Sequence, residues 1–199
     1  MTDLFASAPP ALEGIHIGIG GWVYAPWRAG MFYPEGLVQR RELEYASRHV
    51  TAIEINGTYY GTQKPATYAK WRDEVPPGFV FSAKAPRRIT QSRKLAGTKA
   101  QVEDFIGGIV ELGDTLGPLV WQFEQGHRLQ ADDLDAFCRC CPSVQARVRC
   151  AMCWRSATTM RWMPRCSHWC AAMAWPRCLP IRMSTPHLPI SPRISFMRV

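Results

Sequence analysis

Acidic, basic and amide side chains stand near the ends of two segments that the sequence pattern predicts to be β-strands. Glu54 and Asn56 are two positions apart in "TAIEINGTYY", so they share one face of an extended strand. Lys84 lies near the end of the second segment, "GFVFSAKAP". A carboxylate beside an ammonium group can move protons in acid–base catalysis. Glu54 and Lys84 are therefore the candidate catalytic residues, and a structural ion pair is the alternative.

Other side chains that could bind a ligand follow the same predicted strands. The aromatic segment "GWVYAPWRAGMFYP" could line a pocket for a planar or sugar-like ligand, or pack as a lid on the rim of the fold. The segment "KAPRRITQSRKL" could hold a phosphate through Arg87, Arg88 and Lys84, or form a solvated basic loop. The predicted ligand-binding residues are Trp22, Tyr24, Trp27, Asn56, Tyr59, Arg87, Thr90 and Gln122.

Several well-known motifs are missing from this sequence. "GIGG" is not a dinucleotide-binding fingerprint, because Val23 stands where the pattern from Gly18 requires its third glycine. No H-E-x-x-H motif, P-loop or G-x-S-x-G elbow occurs. The cofactor therefore stays unknown, and we predict no metal ligands among the candidate site residues.

The elements that must position these residues alternate along the chain. Short apolar runs predict strands over 15–21, 78–86 and 118–124, and a further strand within 51–60, where Asn56-Gly57 is a turn signal. Helical patterns predict helices over 42–50, 65–75 and 99–117, and a fourth that begins at residue 131. Such alternation predicts an α/β fold with a parallel sheet, either half of an eight-fold barrel or most of a small doubly wound sheet. In both folds the functional residues lie at the carboxyl ends of the strands, where the candidates stand.

The four quoted loops and strands together resemble the YecE-like family, the domain of unknown function numbered seventy-two. The blocks that carry the resemblance occur in order over residues 15–137: "IGIGGWVYAPWRAGMFYP", "LEYASRHVTAIEINGTYYGTQKP", "WRDEVPPGFVFSAKAPRRIT" and "LGPLVWQFE". The resemblance implies a TIM-barrel-like fold and a shared pocket, but no reaction. The family usually has His after the Ile-Thr pair; Gln91 stands there in this chain and cannot shuttle protons.

The composition changes sharply near residue 136. Residues 1–135 carry 14 basic and 16 acidic residues, a net charge of −2, whereas residues 136–199 carry 10 Arg and no Lys, Asp or Glu. All 8 Cys lie from Cys138 onward, and all 15 Gly lie at or before Gly126. An ordinary globular segment of this length contains both acidic residues and glycine. The tail therefore needs a separate explanation.

A shifted reading frame explains the tail. Permitted codons for "FCRCCP", read from the third base, give "LPLLP", which continues the predicted helix. The same offset converts "RVRCAMCWRSATTM" into "RSLRHVLEVRHDD", which resembles the next strand block of the family. We therefore predict three parts: an N-terminal extension (1–14), the N-terminal half of a TIM-barrel-like domain (15–137) and a frameshifted, poorly ordered tail (138–199).

Two other interpretations of the tail stay open. Cys150, Cys153, Cys166, His168 and Cys170 could form a zinc site. Alternatively, the arginines interleaved with tryptophans could form a nucleic-acid-binding arm.

The remaining expectations concern the whole protein. The N-terminus lacks the pattern of a signal peptide and no apolar run has the length of a transmembrane helix, so we predict a cytoplasmic protein without a membrane partner. The predicted partner is a small-molecule, phosphorylated or nucleic-acid ligand, for an enzyme or a non-catalytic ligand-binding barrel. Half a barrel leaves open sheet edges, so we expect this chain to fold poorly and to lack activity. The oligomeric state is not predicted.

Overall fold

A computed structural model of the protein describes residues 15–123, 127, 130–140 and 194–198. Its strands are β1 (Ile15–Gly20), β2 (Ala52–Ile55), β3 (Val80–Lys84), β4 (Leu116–Val120) and β5 (Ile194–Arg198). Its α-helices are α1 (Glu42–Ala46), α2 (Gly57–Tyr60), α3 (Pro65–Glu74), α4 (Arg87–Thr90), α5 (Lys99–Ile109) and α6 (Ala131–Cys140). Short 3₁₀ segments cover Ala25–Trp27, Gln39–Arg41, Leu95–Thr98 and Val110–Thr115.

The strands form one sheet in the order β4-β3-β2-β1-β5. Strands β1 to β4 are parallel and stand in chain order, and helices connect them. A doubly wound sheet reverses its strand order at a switch point, whereas a (β/α)₈ barrel adds each strand beside the previous one. The order of β1 to β4 is therefore that of one half of a TIM-barrel-like fold, as the sequence predicted.

The parallel register separates two faces of the sheet. Gly20 lies beside Glu54, and Glu54 beside Ser82, so these three residues point to one side. Lys84, two positions after Ser82, shares that side. The opposite side carries the apolar residues Ile19, Ile53, Ile55, Phe81 and Ala83. This apolar face is the one that the helices cover.

A hydrophobic core between the sheet and the helices holds the described half together. Pro65 supplies the first turn of α3, where its missing N–H costs nothing. Helix α5 buries one face, formed by Val102, Phe105, Ile106 and Ile109, as the helical spacing predicted. The largest fully buried side chains are Trp121, Tyr33, Tyr68, Phe81, Phe105, Phe137, Ile53, Ile55, Ile89, Leu95, Ile109 and Leu112.

Two predicted boundaries were wrong around the fourth strand. The helix predicted over 99–117 ends at Ile109 and continues as a 3₁₀ segment, where Gly113 adopts a φ of 55° that helical residues do not. The strand predicted over 118–124 runs instead from Leu116 to Val120. Phe81 of β3 pairs with Leu116 of β4, and Ala83 pairs with Leu119. Two positions along β3 thus correspond to three along β4, so β4 carries one extra residue. Such a bulge accommodates Pro118, which has no N–H to donate.

Three elements were not predicted from the sequence: the short helices α2 and α4, and the strand β5. β5 lies antiparallel beside β1, with Ile194 opposite Ile19. The local pattern of a four-residue helix is too short to distinguish it from a turn. The pairing of β5 depends on a contact between the two ends of the chain, which no local pattern contains.

Several predictions lie outside the described residues. These are the N-terminal extension, Glu124 at the end of the predicted fourth strand, and most of the tail after residue 140. The zinc-site hypothesis and the frameshift hypothesis therefore stay predictions. Within the part of the chain that the structure describes, no helix is both long and apolar enough to cross a membrane.

Candidate functional site

The two candidate catalytic residues form an ion pair at the carboxyl ends of neighbouring strands. Lys84 Nζ lies 3.3 Å from Glu54 Oε1, and the two side chains are 13% and 26% exposed. The pairing follows from the register, because Glu54 lies beside Ser82 and Lys84 is the next residue of β3 on the same face. The pair is thus shielded from bulk water but still reachable by a ligand.

Thr58 fixes the helix that lies over this pair. Its buried hydroxyl lies 2.6 Å from the backbone oxygen of Lys84 and 2.9 Å from that of Ile55, and donates toward both. This hydroxyl ties α2 to the ends of β2 and β3. As a result the ring of Tyr59 lies under the Lys84 ammonium, with Nζ 5.9 Å from the ring centroid, within the range of a cation–π contact.

Gln91 extends this set of contacts away from the sheet. Its Nε2 donates a hydrogen bond of 3.3 Å to the Tyr59 hydroxyl. Glu54, Lys84, Tyr59 and Gln91 thus form a continuous row of polar contacts from β2 through β3 and α2 to the end of α4. Gln91 was noted in the sequence as the residue that replaces the histidine of the related family, and the structure places it beside Tyr59.

Asn56 and Tyr24 meet at the end of β1. A Cβ atom added at Gly20 would lie 3.1 Å from Asn56 Nδ2, so the amide packs directly against this glycine. The Tyr24 hydroxyl donates a hydrogen bond to the Gly20 backbone oxygen. Since Gly20 lies beside Glu54 in the sheet, these contacts bring Asn56 and Tyr24 to the same end of the sheet as the ion pair.

A cleft of about 570 Å³ opens beside Tyr59; we call it the Tyr60 cleft. Its lining residues are Tyr59, Tyr60, Pro86, Arg87, Arg88, Gln91 and Ser92. The predicted ligand-binding residue Arg87 lies here rather than against the ion pair. Tyr59 lines the cleft and also contacts Lys84, so it joins the two parts of the site.

Trp22 lies apart from these polar residues. Its ring packs edge-on against Trp71 of α3, with 5.1 Å between centroids, and tilts toward Phe81 at 6.4 Å. Phe81 lies on the face of β3 opposite to Lys84, so Trp22 belongs to the helix-covered side. The contacts place its ring in a packed layer with Trp71 and Phe81, and its predicted role in ligand binding stays a prediction.

Trp27 also belongs to a packed aromatic layer. Its centroid lies 4.5 Å from that of Tyr24, 5.6 Å from Phe32 and 6.3 Å from Tyr33. Trp27 thus contacts Tyr24, which in turn bonds to Gly20 at the end of β1. Its predicted role in ligand binding stays a prediction.

Buried polar contacts fix this aromatic segment to the fold. The Arg28 Nε donates to Glu42 Oε1 at 2.6 Å, and Glu42 is fully buried on α1. The hydrogen bond from Arg28 to Glu42 raises the pKa of the guanidinium above its already high ordinary value. The buried Tyr33 hydroxyl donates to the Trp22 backbone oxygen, and burial raises the pKa of Tyr33 well above its ordinary value.

Two predicted site residues, Gln122 and Thr90, are partly or wholly buried. Gln122 follows Val120, which lies beside Lys84 in the sheet. Gln122 Oε1 and Thr90 Oγ1 are buried and have no hydrogen-bond partner among the described residues. Ser82, which lies beside Glu54 and two residues before Lys84 on the same face, also has a buried Oγ without a hydrogen-bond partner among the described residues. Ser82 was missed from the sequence, although its register beside Glu54 could have indicated it.

The described residues contain no cluster of three or more His, Cys, Asp or Glu side chains that could hold a metal ion. The cysteines of the zinc-site hypothesis lie outside those residues. Of the other cleft residues, Arg88 was considered from the sequence as a possible phosphate ligand, whereas Tyr60, Pro86 and Ser92 were not predicted to bind a ligand. The adjacent aromatic residues Tyr59 and Tyr60 were the available signal for them, together with the basic segment that follows β3.

Comparison with known proteins places the chain among related sequences. The family model described as "Protein of unknown function DUF72" matches residues 16–173. The match extends beyond residue 137, where the sequence resemblance ended, and includes the composition break. The curated UPF0759 protein YunF of Bacillus subtilis (strain 168) is 29% identical over 76 residues, which cover 38% of this chain and 26% of that protein.

Two solved structures share the fold. A DUF72 family protein from Enterococcus faecalis V583 matches with a TM-score of 0.59 at 14% identity, over 79% of this chain and 57% of that one. A DUF72 family protein from Thermotoga maritima MSB8 matches with a TM-score of 0.59 at 19% identity, over 80% and 63%. The chain thus spans about three fifths of the length of these relatives.

Proposed function

Because this chain belongs to the DUF72 family of proteins of unknown function, we propose that its Glu54–Lys84 pair is the acid–base pair of a phosphoester-cleaving enzyme. The observation that carries the proposal is the 3.3 Å contact between the two side chains at the carboxyl ends of β2 and β3, with the Lys84 ammonium over the Tyr59 ring. Catalytic residues of TIM-barrel enzymes lie at this end of the strands. The substrate is a phosphoester, of a small molecule or of a nucleic acid.

The pair can carry both proton transfers of hydrolysis. Glu54 takes a proton from the attacking water as its oxygen bonds to phosphorus. Lys84 gives a proton to the leaving oxygen as the phosphorus–oxygen bond breaks, and its charge stabilises the phosphoryl oxygens before that. The proton on Glu54 then passes to Lys84 across their 3.3 Å contact, which restores both charges for the next cycle.

The described half supplies these groups from two of its four parallel strands. This chain spans about three fifths of the length of the relatives with solved structures, so we propose that turnover belongs to those longer relatives. We expect this chain to bind a phosphoester without turnover, in agreement with the expectation from its sequence.

The test separates binding from turnover. In the intact T. maritima relative, replacing the residue that occupies the position of Glu54 with a neutral one should lower hydrolysis of nitrophenyl phosphate at least about a hundredfold. In this chain, Glu54→Gln should leave the Kd for phenyl phosphate within about twofold. Glu103→Gln is the matched control, because Glu103 pairs with Lys99 at 3.8 Å on the exposed face of α5. Unchanged hydrolysis in the relative would contradict the proposal.

The second candidate is a non-catalytic ligand-binding barrel. The observation that favours it is the mutual neutralisation of Glu54 and Lys84, which a structural ion pair would also show. Under this alternative, the relative binds the ester without hydrolysing it, and substitution of the pair changes stability alone.

A further inference from the structure

The Tyr60 cleft contains an aromatic ring that the protein does not cover. Tyr60 is 74% exposed, although it lies between Tyr59 and Arg87. Tyr59 meets it edge-on with 5.4 Å between centroids, and Arg87 Cζ lies 5.8 Å from the ring centroid. These two neighbours hold the ring in place while most of its surface stays available. A fixed, exposed ring is a stacking surface for a planar group.

The cleft also contains a cation that is available to a ligand. Of its two arginines, Arg88 pairs with Asp104. In the described part of the chain, no carboxylate lies within ion-pair distance of Arg87, which instead lies over Tyr60. The fork of N–H groups in a guanidinium matches the oxygens of a phosphate. Arg87 is therefore the cation that can receive an anion beside the exposed ring.

The Tyr59 hydroxyl, which lines the cleft together with Arg87, can serve as a hydrogen-bond donor to a ligand. The Tyr59 hydroxyl accepts a hydrogen bond from Gln91 at 3.3 Å. No acceptor for the Tyr59 proton lies among the described residues, so this O–H can donate to a ligand oxygen. The face of the same ring contacts Lys84. An anion held by this hydroxyl is thus one side chain away from the Glu54–Lys84 pair.

We infer that the Tyr60 cleft binds small aryl phosphates, with the ring of the ligand stacked on Tyr60 and its phosphate on Arg87 and the Tyr59 hydroxyl. The inference deepens the proposed function and rests on it for the reaction, because it names the class of phosphoester. The binding itself requires neither Glu54 nor turnover.

The experiment measures binding to the full chain by titration calorimetry with three probes: phenyl phosphate, inorganic phosphate and phenol. Phenyl phosphate should bind at least about tenfold more tightly than either other probe, because it alone uses both the ring and the guanidinium. Added salt should weaken the binding of phenyl phosphate, since the contact with Arg87 is exposed. Lack of saturable binding, or equal affinity for phenyl phosphate and inorganic phosphate, would overturn the inference.

Variants assign the binding to the cleft. Arg87→Gln and Tyr60→Leu should each weaken binding of phenyl phosphate by about three- to tenfold. Arg93→Gln is the matched control, because Arg93 is exposed and does not line the cleft; it should keep the wild-type Kd. Equal losses in Arg87→Gln and Arg93→Gln would overturn the inference. If Glu54→Gln still binds phenyl phosphate and the unsubstituted relative does not hydrolyse it, the proposed reaction is overturned but the proposed binding site is not.

Discussion

At the scale of single residues, two buried tyrosines couple the stability of the fold to alkaline pH. Tyr33 and Tyr68 are both buried, and burial is the main cause that raises the pKa of each above the ordinary value of about 10. Burial disfavours the charged tyrosinate. The two neutral hydroxyls therefore stabilise the fold fully below the pKa of tyrosine in the unfolded chain. This stabilisation is lost as the pH rises toward the higher pKa of each tyrosine in the folded state.

The prediction is that the free energy of unfolding falls as the pH rises above about 10, because the unfolded chain releases protons that folded Tyr33 and Tyr68 keep. A titration of tyrosinate absorbance should show a late phase that coincides with loss of far-UV circular dichroism. Tyr68→Phe should reduce this phase, and Tyr60→Phe, at an exposed position, should not. Ionisation of all 6 tyrosines before any loss of dichroism would contradict the prediction.

Residue patterns predicted the central pair of the site but not all of its surroundings. Glu54 and Lys84 could be paired from the sequence, because strand alternation and a parallel sheet suffice to place them on one face. Trp22 could not be placed, because its position depends on Trp71 and Phe81, which come from distant segments. The Tyr60 cleft was also beyond the local pattern, since it is formed by α2 and α4, which come from separate segments of the chain.

At the scale of elements, the close approach of β1 and β2 depends on Gly18. A Cβ atom at this position would lie 2.5 Å from the backbone oxygen of Ala52 and 2.9 Å from its carbonyl carbon. Backbone atoms cannot yield as a flexible side chain can, so the two strands would have to separate. The glycines of "GIGG" thus serve strand packing rather than the binding of a dinucleotide.

Gly18→Ala should therefore destabilise the fold by about 1–3 kcal/mol, the usual cost of overpacking. Gly107→Ala is the matched control: it makes the same change within α5, where no atom lies within 4 Å of the added Cβ. That variant should stabilise the fold by about 0.5–1 kcal/mol, because alanine is the better helix former. Midpoints of the urea transition measure both effects, and a Gly18→Ala midpoint at or above that of the wild type would contradict the prediction.

The elements with strong patterns were predicted, and those that depend on the rest of the fold were not. The buried face of α5 followed from the spacing of Val102, Phe105 and Ile106. The extra residue in β4 did not, because it reflects how Pro118 fits against β3 rather than any periodicity. The antiparallel direction of β5 likewise reflects its pairing with β1.

At the scale of the whole molecule, the sheet formed by the described residues has an open edge and a well-packed apolar side. Within the described residues, β4 has a strand partner on one side only. A closed barrel removes such edges, and an open edge offers unpaired N–H and C=O groups to other chains. The core under the helices favours folding, whereas the open edge lowers its cooperativity and promotes association.

We therefore predict a broad thermal transition with a low midpoint and a tendency to associate. Calorimetry tests this: the calorimetric enthalpy should differ from the van't Hoff enthalpy, as it does when unfolding is not two-state. A single sharp transition with equal enthalpies would contradict the prediction.

The tail requires a test at the level of the gene. If residues 138–199 come from a shifted frame, sequencing the DNA around the codons for Phe137 and Cys138 should show an inserted or deleted base relative to genomic reads of close relatives. An intact frame there would leave the zinc-site and nucleic-acid hypotheses for the tail.

The aromatic segment after β1 has a consequence for the speed of ligand association. Tyr24 bonds to Gly20, Arg28 to Glu42, and Tyr33 to Trp22, so internal contacts fix the segment along its length. We expect a segment held in this way not to close over a ligand, so that association needs no slow conformational step. In stopped-flow experiments, the observed rate of phenyl phosphate binding should rise linearly with ligand concentration, without the plateau that a closing lid produces.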